Sequence, residues 1–133
     1  MNKFENPVQF DISKEFDGVN VAYSDLIEVS QGSPEIGTIA INGNQVKSYR
    51  FGGPCICDGK YVYAPAYVKR FLGSGFKLAK INAENFEVEF LTKTKDLIFL
   101  DKVEGNRVYF FEDIDRTTYR YYDPKLGIVE NRN

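Results

Sequence analysis

Apolar and polar residues alternate along much of this chain, a pattern that is typical of β-strands. Between residues 86 and 90, for example, three apolar side chains alternate with two glutamates. Because successive side chains of a strand point to opposite faces of a sheet, this spacing predicts a half-buried antiparallel strand. Similar short runs recur along the sequence and are separated by Gly, Asn and Asp, the residues that favour tight turns. The pattern predicts an all-β protein.

Turns in which an acidic residue precedes glycine recur at spacings of 41 and 46 residues. They are Asp17-Gly18, Asp58-Gly59 and Glu104-Gly105. Asp-Gly sequences favour hairpins, and each of these turns precedes a strand-like run. Ile-Asn pairs at 41–42 and 81–82 begin a second, equivalent turn in two of the units. We therefore predict three units, approximately 10–51, 52–91 and 96–130, each consisting of four short antiparallel strands.

Four-stranded units of about forty residues are typical of propeller blades. We accordingly expect a single domain, residues 1–133, built as an open half β-propeller of three blade-like units. A β-sandwich, which also has a turn every ~8–12 residues, is the alternative. The blades would either stay open in a monomer, which we favour, or close into a six-bladed ring of two copies. Segments 24–28 and 65–73 have helical spacing and are predicted to form short helical turns within loops.

The composition removes several classes of catalytic site. The chain has no histidine, which excludes Ser-His-Asp and Cys-His nucleophilic sites and any histidine general base. Cys55 and Cys57 are too close in sequence for an unstrained disulfide, and we expect free thiols in a reducing compartment. The glycine pairs lack the Gly-Lys-Ser/Thr sequence of a phosphate-binding loop. We expect no enzyme activity, no cofactor and no metal site.

The N-terminal residues lack the apolar run of a secretory signal, and the longest apolar stretches are far shorter than the ~20 residues that span a bilayer. We therefore expect a cytoplasmic protein with no membrane partner. Tyrosines near lysines and arginine in residues 60–70 could stack on nucleotides. Because the overall charge is −2, we do not expect a nucleic-acid partner.

Charge is distributed unevenly along the sequence. Residues 1–35 contain seven acidic and two basic residues (net −5), and residues 36–80 contain one acidic and seven basic residues (net +6). Residues 81–133 contain eleven acidic and eight basic residues (net −3). A surface polarised in this way steers a partner of complementary charge and raises the association rate. This distribution favours a binding function.

In the blade arrangement, the loops between the second and third strands of all units emerge on one face. They would combine acidic side chains with aromatic anchors, and this is the partner-binding surface that we predict. Its residues are Asp25, Glu28, Glu35, Tyr67, Phe71, Glu112, Asp113 and Asp115. Aromatic residues frequently dominate the energy of protein interfaces, and carboxylates would attract a basic partner.

In its small size, its pI near 5.2, its lack of histidine and its acidic segment 111–115, the chain resembles the immunity proteins of bacterial contact-dependent toxin systems. The resemblance implies a protein that binds tightly to a cognate toxin domain, often a basic nuclease, and blocks it. A propeller-like lectin that oligomerises and binds sugar between its tyrosines is the alternative. A carbohydrate-acting enzyme that uses Asp113 or Glu87 is a third reading.

Overall fold

The computed structural model describes residues 5–30, 33–70 and 73–130 and shows an all-β protein. Its twelve strands are β1 (Ser13–Phe16), β2 (Val19–Glu28), β3 (Glu35–Ile41), β4 (Asn44–Phe51), β5 (Ile56–Asp58), β6 (Tyr61–Lys69), β7 (Ser74–Asn82), β8 (Val88–Phe90), β9 (Phe99–Glu104), β10 (Arg107–Phe111), β11 (Tyr119–Asp123) and β12 (Gly127–Glu130). Within these ranges there is no helix that could cross a membrane.

The strands form two antiparallel sheets. The large sheet has eight strands in the order β1-β2-β3-β4-β6-β7-β8, with β5 paired to β6, and it is curled into a half-barrel. The small sheet is a four-stranded meander in the order β12-β11-β10-β9. Neighbouring strands in each sheet are mostly neighbours in sequence, which is the arrangement that the short turns predict.

The acidic-glycine turns form hairpins, as the sequence predicts. Asp17 and Gly18 join β1 to β2 with φ values of 42° and 87°, and Asn42 and Gly43 join β3 to β4 with φ values of 50° and 84°. Two successive residues with positive φ match the twist of the flanking strands. Residues 58–60 and 104–106 likewise join β5 to β6 and β9 to β10.

Two clusters of buried side chains lie on opposite faces of the central strands β6 and β7. The first cluster contains Val62 and Ala64 together with side chains of β2, β3, β4 and β7, and it fills the concave side of the large sheet. The second contains Tyr63 and Leu78 of the large sheet and Phe110 of the small sheet. The two sheets therefore pack against each other through the second cluster.

The expected division into three separate four-stranded blades is not confirmed. Residues 96–130 do form a four-stranded meander, but Arg50 and Phe51 of β4 pair with Tyr67 and Ala66 of β6. Strand β6 is nine residues long; its first half pairs with β5 and its second half with β4. This long central strand joins the first two units into one continuous sheet.

The two predicted helical turns are wrong within the described residues. Residues 24–28 belong to β2, and residues 65–69 belong to β6. All nine residues of β6 pair with β7, including Pro65 opposite Leu78. The backbone pairing available in the sheet outweighs the local helical spacing, because a short helical turn would leave these groups without partners.

Candidate functional site

The outer face of the small sheet is lined with aromatic side chains. Phe110 of β10 is fully buried and points towards the large sheet. Tyr109 and Phe111, its neighbours in sequence, therefore point away from it. The antiparallel register places Tyr121 opposite Tyr109 and Tyr119 opposite Phe111. Four aromatic side chains of two adjacent strands consequently share the outer face.

These four rings and Phe99 of β9 form a continuous row, which we call the aromatic row. The ring centroids along it are separated by 5.8, 4.5, 5.9 and 5.2 Å in the order Phe99, Phe111, Tyr119, Tyr109 and Tyr121. Tilted and offset contacts at these distances are the favourable geometry for aromatic pairs. Phe99 is buried and the other four are half-buried, so the row is a partly accessible apolar surface.

Three cationic side chains lie over the aromatic row. The Lys102 ammonium is 5.1 Å from the Tyr109 ring centroid, and the Arg107 guanidinium is 4.8 Å from that of Tyr121. At the opposite end of the row, the Arg116 guanidinium lies 5.1 Å from the ring centroid of Phe99. Cations at such distances are attracted by the negative face of the ring. The row therefore combines apolar rings with positive charge.

Carboxylates occupy defined positions beside the row. The Arg107 Nε is 2.9 Å from Asp123 Oδ2, and the Tyr119 hydroxyl donates a hydrogen bond to Asp101. The pKa of Asp123 is lowered, first by the Lys125 backbone N–H and then by Arg107. Burial, followed by the hydrogen bond to Asp101, raises the pKa of Tyr119. Asp123 is therefore ionised and Tyr119 protonated at neutral pH.

A groove of about 470 Å³ lies between the two sheets at the Phe99 end of the aromatic row. Five of its lining residues are charged, namely Glu5, Lys14, Asp101, Lys102 and Arg116. The other lining residues are Phe16, Pro54, Cys55, Ile56, Phe99, Leu100, Val103 and Phe111. We call it the inter-sheet groove. A second, open groove of about 530 Å³ lies at the Tyr109 end, between the 104–107 and 123–125 turns. The aromatic row thus connects two concave regions.

The acidic residues predicted on β2 and β3 lie at one end of the large sheet. Glu28 and Glu35 are directly opposite each other in the β2–β3 pairing. Arg50 donates a hydrogen bond of 3.2 Å to the backbone oxygen of Asp25 and pairs in register with Tyr67. The structure therefore brings these four predicted residues to neighbouring positions across strands β2 to β6.

Glu112 is connected to the same end of the large sheet. Tyr67 packs on Phe76 at a centroid distance of 5.8 Å, and Phe76 pairs through its backbone with Lys95. The Lys95 ammonium is 3.1 Å from the Glu112 carboxylate, which also accepts a hydrogen bond from Arg120. Two cations therefore offset the charge of Glu112, so its carboxylate contributes little negative potential to a partner.

The last predicted residues lie in the β10–β11 loop. Asp113 accepts hydrogen bonds from the backbone N–H groups of Thr117 and Thr118 and from the Thr117 hydroxyl, so its carboxylate stabilises the loop. Asp115 is exposed in the same loop. The remaining predicted residue, Phe71, lies outside the described residues.

The chemistry-bearing groups that could act in catalysis are few. Cys55 is buried and its pKa is raised to about 11 by burial, so it is a protonated, unreactive thiol at neutral pH. In the described part of the chain, no group of three or more acidic, cysteine or histidine residues could hold a metal ion.

The sequence interpretation missed the aromatic row. The runs 107–111 and 119–123 contain aromatic residues at both alternating positions, which indicates a strand with apolar side chains on both faces. That signal was present, but it indicates two buried faces as readily as one buried and one accessible face. The structure distinguishes these two cases, because the small sheet packs on the second cluster with one face only, the face that carries Val108 and Phe110.

Comparisons with protein-family models, with curated proteins and with solved structures give no match for this chain. Its function must accordingly be inferred from the chemistry of its own surface.

Proposed function

We propose that this protein is a non-catalytic protein-binding module and, more specifically, an immunity protein that binds and blocks a cognate toxin domain. The observation that carries the proposal is the aromatic row on the outer face of the small sheet. A sheet face without a second layer is usually polar, whereas this one presents a partly accessible row of rings. Large accessible apolar surfaces on soluble proteins commonly mark interaction sites.

The residue types of the row are those that dominate protein interfaces. Tyr and Arg are enriched among residues whose truncation costs at least about 2 kcal/mol of binding free energy. Tyr109, Tyr121 and Arg107 lie together at one end of the row. Because their contacts already fix their positions, a partner that binds there would lose little side-chain entropy on association.

The adjacent β10–β11 loop adds exposed groups at the edge of the aromatic row. Its Ile114 is 39% exposed, and Asp115 next to it is exposed. Arg116 of the same loop lies over Phe99, so the loop adjoins the aromatic row. The Asp115 carboxylate would attract a lysine or arginine of the partner, and the cations over the aromatic row would attract the partner's carboxylates. Such complementary charges raise the association rate. Rapid capture is what the inhibition of a toxin requires.

The proposal is tested by measuring binding to the toxin domain encoded by the neighbouring reading frame. We expect Tyr109→Ala and Tyr121→Ala each to weaken binding by at least about tenfold, and Asp115→Lys to lower the association rate. Glu84→Lys, which makes the same charge change in the β7–β8 turn of the large sheet, is the matched control. If all three variants bind like the wild type, the aromatic row is not the interface; if no neighbouring toxin domain binds at all, the immunity function is refuted.

One observation favours a glycan-binding module as a second candidate. The rings of Tyr109 and Tyr119 are inclined by only 25° and their centroids are 5.9 Å apart. Two nearly parallel rings on a sheet face offer a platform for the apolar faces of sugar rings, and the flanking Arg107–Asp123 pair offers hydrogen bonds to hydroxyl groups. Saturable binding to neutral oligosaccharides that is lost in Tyr109→Ala, without binding to any toxin domain, would favour this function.

A further inference from the structure

The inter-sheet groove has the dimensions of a small-molecule site. Its volume of about 470 Å³ lies within the roughly 300–1,000 Å³ that is usual for ligand pockets. Apolar side chains from both sheets line it, among them Phe16 of β1, Ile56 of β5 and Leu100 of β9. A ligand that filled it would therefore contact carbon atoms on both sides.

Most charged groups of the groove already have partners. Glu5 forms a salt bridge with Lys14 at 2.5 Å and also accepts the backbone N–H of Asp11 at 2.8 Å. Asp101 accepts the Tyr119 hydroxyl. Three cations and two carboxylates line the groove, so its net charge is +1. The excess positive charge favours an anionic ligand.

Arg116 is the cation that is left without a carboxylate. Among the described residues, no Asp or Glu oxygen lies within 4.0 Å of its guanidinium, which instead lies 5.1 Å from the ring centroid of Phe99. Lys102 has only a distant contact of 3.9 Å with Glu104. A guanidinium presents paired N–H donors that match the two oxygens of a carboxylate.

The loop holds Arg116 in an unusual backbone conformation. Its φ is +61°, a left-handed conformation that is uncommon for residues other than Gly, Asn and Asp. Hydrogen bonds from Thr117 and Thr118 to the Asp113 carboxylate hold the loop. Such conformations persist where the surrounding structure enforces them, and they cluster at binding sites. Arg116 is therefore placed at the groove before any ligand arrives.

From these observations we propose that the inter-sheet groove binds a small organic carboxylate with an apolar body, and that Arg116 binds its carboxylate group. The apolar body would lie against Phe16, Ile56 and Leu100. This site adjoins the protein interface proposed above and shares Phe99 and Phe111 with it, so a bound ligand would change the surface that a partner meets.

The test uses 4-phenylbutyrate as the probe and 4-phenylbutanol as its neutral analogue of similar size. We expect saturable binding of the carboxylate by titration calorimetry, with affinity for the alcohol weaker by at least about tenfold. In two-dimensional amide NMR spectra, the shifted signals should belong to residues of the groove, including Leu100 and Arg116.

Two variants test which cation binds the carboxylate group of the probe. Arg116→Asn removes the guanidinium, and Asn tolerates the left-handed conformation, so the loop should keep its structure. We expect it to reduce affinity for the carboxylate about tenfold and to leave affinity for the alcohol unchanged. Lys102→Gln should give a smaller reduction. Lys47→Gln, an exposed lysine of β4 outside the groove, is the control for a general loss of charge.

Three results would each overturn the proposal. They are equal affinity for the alcohol and the carboxylate, unchanged carboxylate affinity in Arg116→Asn, and amide shifts located outside the groove. Absence of saturable binding below about 10 mM, a concentration at which even a very weak site is filled, would overturn it as well. None of these results depends on whether a toxin domain binds, so the two proposals fail separately.

Discussion

Phe110 and Phe111 are adjacent phenylalanines on opposite faces of β10, and they provide a direct test of how the two sheets are held together. Phe110 is fully buried in the cluster between the sheets. Phe111 is half-buried in the aromatic row on the outer face. Replacement of each by alanine removes the same atoms from the same strand, so any difference in stability reports the face on which the ring lies.

The expected magnitudes follow from burial. Phe110→Ala removes a ring with no exposed surface and should lower the free energy of unfolding by about 3–5 kcal/mol. Phe111→Ala removes a ring that already contacts water and should lower it by about 1–2 kcal/mol. Since a domain of this size is stable by only about 5–15 kcal/mol, the first change should lower the melting temperature by about 10–20 °C.

The measurement is urea unfolding followed by far-ultraviolet circular dichroism and by tyrosine fluorescence, since the chain has no tryptophan. Both probes should report one transition in the wild type, because the second cluster contains side chains of both sheets. Leu78→Ala in the large sheet should show a coupling free energy above about 0.5 kcal/mol with Phe110→Ala. Equal losses for the two phenylalanine variants, or separate transitions for the two probes, would refute the packing described here.

Three further predictions concern local features. Gly37→Ala should lower stability by about 1–3 kcal/mol, because its Cβ would lie 2.6 Å from a backbone carbonyl oxygen of β2; an unchanged melting temperature would contradict this. With a thiol reagent at about pH 8, half-buried Cys57 should react before Cys55, whose pKa is raised to about 11 by burial; simultaneous reaction would mean that the Cys55 site opens readily. The Asp113 pKa is lowered, mainly by a side-chain hydrogen bond, so its ionised form stabilises the fold above about pH 4 and this stabilisation is lost as the pH falls further. Asp113→Asn should therefore flatten the dependence of stability on pH below pH 4, and an unchanged slope would show that this carboxylate does not contribute.

The local features of the fold were predictable from sequence, whereas the pairing between units was not. The all-β class and the hairpins at the acidic-glycine turns could be predicted, because alternation and tight turns are determined by neighbouring residues. The joining of β4 to β6 depends on residues Arg50 and Tyr67, which belong to different predicted units. Nothing in either segment alone indicates whether its edge pairs with the next unit or stays open.

The helical turns predicted in segments 24–28 and 65–73 are wrong for residues 24–28 and 65–69, which lie in strands, and the reason is related. Helical spacing of apolar residues in a short segment has little weight, because an isolated helical turn is unstable unless tertiary contacts support it. In segment 65–69 both faces of the strand contact other parts of the protein, since Ala66 lies in the first cluster and Tyr67 packs against the second. A strand that is buried on both faces does not alternate between apolar and polar residues, so some of its apolar residues can fall at helical spacing by chance.

The predicted partner surface shows what charge arguments miss without coordinates. Four of its residues, Asp25, Glu28, Glu35 and Tyr67, occupy neighbouring strands, as a common face requires. The carboxylates of Glu112 and Asp113, however, have partners within the protein. A sequence shows where carboxylates are but not which of them already have cations or N–H donors beside them.

The outer face of the small sheet carries residues that the packing of the fold does not require. The buried side of β10 and β11 already attaches this sheet to the large one through Phe110 and Val108. Polar residues on the opposite side would leave that attachment intact and would interact more favourably with water. Instead, the outer side carries three tyrosines and a phenylalanine in mutual contact. The core does not require these rings there, and this is the physical reason for our proposal that the outer face binds a partner.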